Sequence, residues 1–244
     1  MTDTKTAIVT GASRGIGAAI ARRLAADGFA VIVNYAGRAV DADALQSEIR
    51  AAGGKALAVQ ADVSDASAMK RLFDAAEQQF GGIDVLVNNA GIMQLARIAD
   101  VDDALFDRHI AVNLRGVFKG MREAAKRLRS GGRIISFSSS VVGLYQPTYG
   151  VYAATKGAVE ALTHVLANEM RGRNITVNAV APGPTATELF LTDKPQELVD
   201  RISKAAPLER LAQPEDIANA VAFLAGPDGA WINGQVLRAN GGLV

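Results

Sequence analysis

The chain has 244 residues and a mass of 25.5 kDa, carries a formal net charge of +1 and contains no cysteine. Disulfides, thiol nucleophiles and Cys-ligated zinc are thereby excluded, and the charge makes no case for nucleic acid or an acidic membrane surface. Hydrophobic residues make up 49%, enough for the core of one large domain and too many for global disorder.

The first residues, M-T-D-T-K-T-A-I-V-T, lead into a strand at 6–10 without a signal-peptide core, and no apolar run approaches the ~20 residues of a membrane span. A cytoplasmic protein is expected. The strand runs into T-G-A-S-R-G-I-G at 10–17, where Gly11, Gly15 and Gly17 follow the spacing G-x-x-x-G-x-G. Glycines permit a tight turn and let backbone N–H groups approach a pyrophosphate where a helix begins, here 15–27. This is a dinucleotide signal; a nucleotide-triphosphate loop would end in G-K-[ST].

A second strand at 30–34 is followed by A-G-R, with no carboxylate before Asp41. A fold that takes NAD places an acid near this strand end for the ribose 2′-hydroxyl. Here Arg14 in the glycine turn and Arg38 after the strand suit a 2′-phosphate instead. NADPH/NADP+ is the expected cofactor, ahead of NADH.

Further strands are expected at 56–60, 84–88, 133–137, 175–180 and 235–238, and helices at 40–52, 66–80, 102–129, 150–171 and 214–225. Nearly all-apolar strands alternating with helices predict an α/β fold, a Rossmann-type doubly wound parallel sheet of about seven strands with helices on both faces. No linker divides it, so residues 1–244 read as one domain. Residues 184–213 break the rhythm with Leu189, Phe190, Leu191 and three prolines, and are expected to form a substrate lid. The two histidines, His109 and His164, fall in helical stretches and read as packing or surface residues, so neither a His-based metal site nor a Ser-His-Asp triad is expected.

In Y-A-A-T-K, Tyr152 and Lys156 stand four apart, on one face of a helix. A charge ~5 Å from a phenol, at an effective dielectric of ~20, favours phenolate by roughly 3 kcal/mol, about two pKa units. That shift would bring Tyr152 toward the range of a general acid/base.

With D-V at 62–63, N-N-A-G at 88–91, Asn113, S-S-S at 138–140 and P-G at 182–183, these motifs make the chain resemble the short-chain dehydrogenase/reductase family over essentially its whole length. The resemblance implies reduction of a carbonyl, with Tyr152 giving a proton to its oxygen as hydride arrives. It implies that Lys156 lowers the Tyr152 pKa and bonds the nicotinamide ribose. Ser139 would hold the substrate oxygen, ahead of Ser138 or Ser140, and Asn113 would fix a water that relays protons. The cofactor would meet Gly11, Ser13, Arg14, Gly15, Ile16, Gly17 and Arg38. It would also meet Asp62, Val63, Asn89, Ala90, Gly91, Tyr152, Lys156, Pro182, Gly183, Thr185 and Thr187. A homotetramer is implied as well.

The expected substrate pocket comprises Met93, Gln94, Leu95, Val142, Leu144, Tyr145, Tyr149, Leu189 and Phe190. Its apolar character suits a ketone or β-keto ester and offers little to a phosphate or carboxylate. A 3-oxoacyl chain on acyl carrier protein is an alternative, with Arg127, Arg129, Arg171 and Arg173 as basic residues for the carrier. Sugar or polyol oxidation is another. A non-catalytic NADP(H)-binding sensor is the remaining one, and the joint presence of Ser139, Tyr152 and Lys156 argues against it. The helix at 150–171 is apolar on most sides, and the C-terminal segment holds the only Trp. Both read as contact surfaces of an oligomer.

Overall fold

Seven short apolar runs pair side by side because each can be covered on both faces. They are β1 (Thr6–Val9), β2 (Ala30–Tyr35), β3 (Lys55–Gln60), β4 (Val85–Asn88), β5 (Arg133–Phe137), β6 (Thr176–Pro182) and β7 (Val236–Ala239). All pairings are parallel, in the order β3-β2-β1-β4-β5-β6-β7. This computed structural model describes residues 4–192 and 194–244. Residues 1–3, where the N-terminus is expected to carry no leader, and position 193 of the 184–213 excursion lie outside the described residues.

The helices are α1 (Gly15–Ala26), α2 (Ala39–Ala51), α3 (Ala68–Phe80), α4 (Asp103–His109), α5 (Val117–Arg127), α6 (Val141–Leu144), α7 (Gly150–Glu169), α8 (Glu188–Leu191), α9 (Gln196–Ser203) and α10 (Pro214–Ala225). Local signals set their ends. The Asp102 carboxylate accepts from Leu105 N at 2.7 Å to start α4. Pro214 opens α10 behind a Gln213/Asp216 capping box. Gly81, left-handed at φ 81°, stops α3. Among the described residues no helix is long and apolar enough to cross a membrane.

Alternation along each strand divides the interior in two. Ala7, Val9, Val31, Val33, Val85, Val87 and Ile135 face α1, α2 and α10. Ile8, Ile32, Leu86, Ile134 and Val177 face α3, α5 and α7. Each buried Leu, Ile or Phe contributes roughly 1.5–3 kcal/mol relative to exposure.

Two expectations are corrected. The single helix expected over 102–129 is instead α4, a π-helical stretch at Ile110–Gly116, and α5. Wider turns of this kind mark functional sites more often than ordinary helix does. This one is centred on Asn113, whose side chain bonds a neighbouring loop rather than solvent. The sixth strand runs on to Pro182, because Ala181 and Pro182 pair with Arg238 and Ala239.

Phe73 is fully buried between α3 and the sheet. Phe73→Ala should lower unfolding stability by about 3–5 kcal/mol, read as a reduced urea midpoint with unchanged slope.

Candidate active site

The sheet reverses its direction of growth between β1 and β4, and a crevice opens beyond the carboxyl ends of those strands. Its volume is about 1150 Å³. That is slightly above the roughly 300–1,000 Å³ usual for a small-molecule pocket.

The glycine turn forms one wall. Gly11 has φ 63°, and a Cβ there would lie 2.9 Å from Ala90 Cα. A Cβ on Gly17 would strike the Gly11 carbonyl and the Asn89 side chain. Only glycine allows this approach of backbone to backbone. Buried amides hold the turn in place. Asn34 Oδ1 accepts from Gly11 N at 3.1 Å, while its Nδ2 donates to Ala61 O at 2.9 Å. Asn89 Nδ2 donates to Thr10 O at 2.9 Å and to Gly11 O at 3.1 Å. Ser13, Arg14, Gly15, Ile16, Arg38, Asp62, Val63, Ala90, Gly91, Pro182, Gly183, Thr185 and Thr187 line the same crevice. Every residue expected to meet the cofactor is thus gathered in one place.

Ser139, Tyr152 and Lys156 line the crevice at the end of β5. The three serines are sorted by their partners. Ser138 Oγ donates to Glu160 Oε1 at 2.6 Å, and Ser140 Oγ donates to Ala181 O at 3.3 Å and accepts from Asn240 Nδ2 at 3.0 Å. Ser139 Oγ accepts only a long bond, 3.4 Å, from Val141 N. Its hydroxyl is the one available to the Tyr152 phenol.

Lys156 is 3% exposed, and its Nζ donates to the Phe137 carbonyl at 2.9 Å. Burial pulls its pKa down to about 8. Tyr152 is partly buried, and loss of solvation pushes its pKa up to about 12, against an opposing pull from the Ser139 hydroxyl. This corrects the expectation that Lys156 lowers the phenol toward neutrality. The ammonium is turned to a backbone carbonyl, its Nζ 5.5 Å from the Tyr152 ring centroid, and loss of solvation dominates the phenol's shift.

Asn113 is fully buried and does not line the crevice. Its Oδ1 accepts from Ile92 N and its Nδ2 donates to Ile92 O, both at 2.9 Å. A Cβ on Gly91 would lie 3.4 Å from Asn113 Oδ1 and 3.6 Å from Lys156 Nζ, so both side chains reach the Gly91 backbone. His109 is buried too: its Nε2 accepts from Gln94 N at 3.3 Å and its Nδ1 faces Leu105 O at 2.9 Å, which requires the proton on Nδ1. His164 is exposed.

On the substrate side Met93, Leu95, Leu144, Tyr149, Leu189 and Phe190 line the crevice, but Gln94, Val142 and Tyr145 do not. In α6 the positions one turn apart, Val141 and Leu144, face inward, which rotates Val142 toward Gly157 of α7. Tyr145, left-handed at φ 51° after α6, is 86% exposed. Gln94 is exposed, and it is its backbone N–H that is engaged, by His109. Residues not anticipated include Ile92, Arg108, Val112, Leu198, Arg201 and Leu243. Leu198, Arg201, Ile202 and Ala205 carry a helical spacing that would have indicated one inward face.

The basic residues are also redistributed. Arg127 pairs with Asp74 and Glu77, Arg129 with Asp84, and Arg173 donates to Ala125 O and Leu128 O, away from the crevice. Arg171 does not line it either. Arg108, Lys194 and Arg201 do, so the pocket is less purely apolar than expected.

The 184–213 excursion is pinned at its base. Ala186 N donates to Ala212 O at 2.8 Å and Ala212 N to Pro184 O at 3.0 Å. Between those ties, α8 and α9 lie along the crevice. Thr187 caps α8, with Phe190 N donating to its Oγ1 at 3.3 Å, and its methyl lies 3.4 Å from where a Gly15 Cβ would be. Glu188 reaches both Arg14 and Arg38, the latter at 2.8 Å. A glycine turn opening a helix, two guanidiniums and a buried ammonium form a donor set that fits a polyanionic dinucleotide.

Residues 11–244 match the protein family described as enoyl-(acyl carrier protein) reductase. An oxidoreductase of Methylorubrum extorquens is 49% identical over 241 residues, covering 98% of this chain and 97% of the relative. An NADPH-dependent aldehyde reductase-like protein of Arabidopsis thaliana chloroplasts is 44% identical over 254 residues, covering 98% and 94%. A short-chain dehydrogenase from Burkholderia cenocepacia, solved in complex with NADP, superposes with a TM-score of 0.93 at 40% identity, covering 98% and 97%.

Lys156 binds a proton less readily in the folded chain than in the unfolded one, so its burial costs stability below about pH 8, and the cost vanishes as pH rises toward the ordinary lysine value of 10.5. Lys156→Met should therefore raise the urea midpoint at neutral pH. The gain should fade across that window, checked by unfolding curves at several pH values.

Proposed function

The chain belongs to the short-chain dehydrogenase/reductase family of oxidoreductases, and we propose that it reduces a ketone carbonyl with NADPH, using Tyr152 as general acid. The observation that carries this reading is the meeting of the uncommitted Ser139 hydroxyl with Tyr152 and Lys156 in one crevice beside the glycine turn.

The bound dinucleotide supplies the hydride. The chain's own work is to hold the carbonyl and to manage a proton. Ser139 and Tyr152 hydroxyls converge on the carbonyl oxygen and stabilise the negative charge that develops there. With its pKa raised, Tyr152 carries its proton at working pH and gives it to that oxygen. Lys156, whose pKa lies near 8, can both hold and release a proton, and restores the one that Tyr152 loses. Asn113 beside it fixes the water that carries protons from solvent. Residues 184–213 act as the substrate lid, and Leu189 and Phe190 keep water from the reacting face.

NADPH is favoured over NADH by Arg14 and Arg38 and by the lack of an acid near Ala36. The relative named as NADPH-dependent and the NADP-bound relative support this choice. The substrate is a medium-sized ketone, β-keto ester or thioester. A 3-oxoacyl thioester on acyl carrier protein is the second reading, favoured by Arg108, Lys194 and Arg201 on the crevice wall. Assembly as a homotetramer is part of the proposal; Trp231, 96% exposed, and Phe118, 45% exposed, give apolar surface to bury between copies.

Tyr152→Phe should reduce kcat by about 10²–10⁴ and leave the NADPH Kd within about twofold. Retained turnover in that variant would refute the assignment of the acid. Arg14→Ala should weaken NADPH selectively, and equal losses for NADH and NADPH would remove Arg14 from the 2′-phosphate. Rates for an acetoacetyl thioester, a β-keto ester, an aryl ketone and a sugar, compared side by side, separate the substrate classes; a sugar as the best substrate would overturn the ketone reading.

A further inference from the structure

The two arginines assigned above to the 2′-phosphate share one carboxylate, Glu188, and Arg38 Nη1 also donates to Asp41 Oδ2 at 3.4 Å. Glu188 lies between them, one carboxylate oxygen on Arg14 and the other 2.8 Å from Arg38 Nη2. Arg14 belongs to the glycine turn, Arg38 to the turn between β2 and α2, and Glu188 is the first residue of α8. The contact therefore spans the crevice, joining the excursion to the opposite wall. Arg14, through its hydrogen bond first, and then Arg38 hold the Glu188 carboxyl below the usual carboxylate range, so it is charged at neutral pH.

A carboxylate shared by two guanidiniums presents the same chemistry as a phosphate monoester: planar donors around closely spaced anionic oxygens. A 2′-phosphate brings more charge and one more oxygen, so it is the stronger partner for the same pair. All three side chains are about half exposed, between 45% and 53%, which makes the carboxylate bridge weak and easily exchanged. Both anions cannot be held close to the same arginines without mutual repulsion.

We propose that Glu188 occupies the position of the cofactor's 2′-phosphate and is displaced by it, so that NADPH, and not NADH, releases the arginine tether of α8. The inference rests on the NADPH reading of Arg14 and Arg38. It makes Glu188 a determinant of cofactor selectivity on the excursion, outside the glycine turn and β2. It also links the two ends of the crevice, since Leu189 and Phe190 follow Glu188 on the same four-residue helix and line the substrate side.

The test is direct binding of NADPH and NADH to wild type and Glu188→Gln, read by fluorescence titration. Removing the competing carboxylate should tighten NADPH by about three- to tenfold, the combined worth of two exposed ion pairs, and leave NADH within about twofold. NADPH affinity that is unchanged or weaker in the variant overturns the proposal. A second measurement uses wild type alone: hydrogen exchange over 186–192 with 2′,5′-ADP or 5′-ADP, fragments confined to the adenosine end. Faster exchange with 2′,5′-ADP only supports the displacement; equal or slower exchange contradicts it. Failure of the underlying reading looks different, because wild type would then bind NADH as tightly as NADPH.

Discussion

The hydrogen bond from Lys156 Nζ to the Phe137 carbonyl joins helix α7 to the end of β5 and fixes how Ser139, Tyr152 and Lys156 stand to one another. An ammonium with 3% exposure and a backbone carbonyl as its hydrogen-bond acceptor is an expensive feature. The surrounding fold must over-determine it. It does so by making β5 an inner strand, paired with β4 and β6, and by packing α7 against the sheet through Val159 and Leu166. Tyr152 then lies one helical turn before Lys156, and Ser139 lies two residues after Phe137. Serine, phenol and ammonium are thereby brought together from two elements that cannot shift independently.

Charge in the crevice is arranged in two zones. At the glycine-turn end Arg14 and Arg38 share Glu188, which holds both guanidiniums toward one point. At the other end Arg108, Lys194 and Arg201 stand beside Leu189, Phe190 and Leu198. An otherwise nearly neutral chain thus gathers cations where a negatively charged ligand would lie. The excursion supplies part of both zones, so its attachment to the glycine-turn wall links one to the other.

Much of this was legible in the sequence, because the fold depends on local patterns. Apolar runs mark six of the strands nearly to the residue, and G-x-x-x-G-x-G with its two arginines marks one wall of the crevice. What escaped depends on rotation and partners. Helical phase in α6 decides that Val141 rather than Val142 faces the crevice, and four residues are too few to show a period. The π-helical stretch at Asn113 comes with a tertiary contact to Ile92, which no propensity encodes. The spacing of Tyr152 and Lys156 puts them on one face but carries no information on how deeply the phenol is buried, and burial raises its pKa where the neighbouring charge alone would lower it. Glu188 meets Arg14 and Arg38 only because the excursion folds across the crevice, a long-range contact that no local pattern encodes.

The central claim is that reduction draws its proton from Tyr152 with Lys156 as the source behind it. The pH dependence of kcat/KM for a ketone, at saturating NADPH, tests it most directly. The account predicts a rate that falls as pH rises, with its midpoint at or above the value of about 8 for Lys156. A rate that stays flat from about pH 6 to about pH 10, or that climbs with pH, would contradict it.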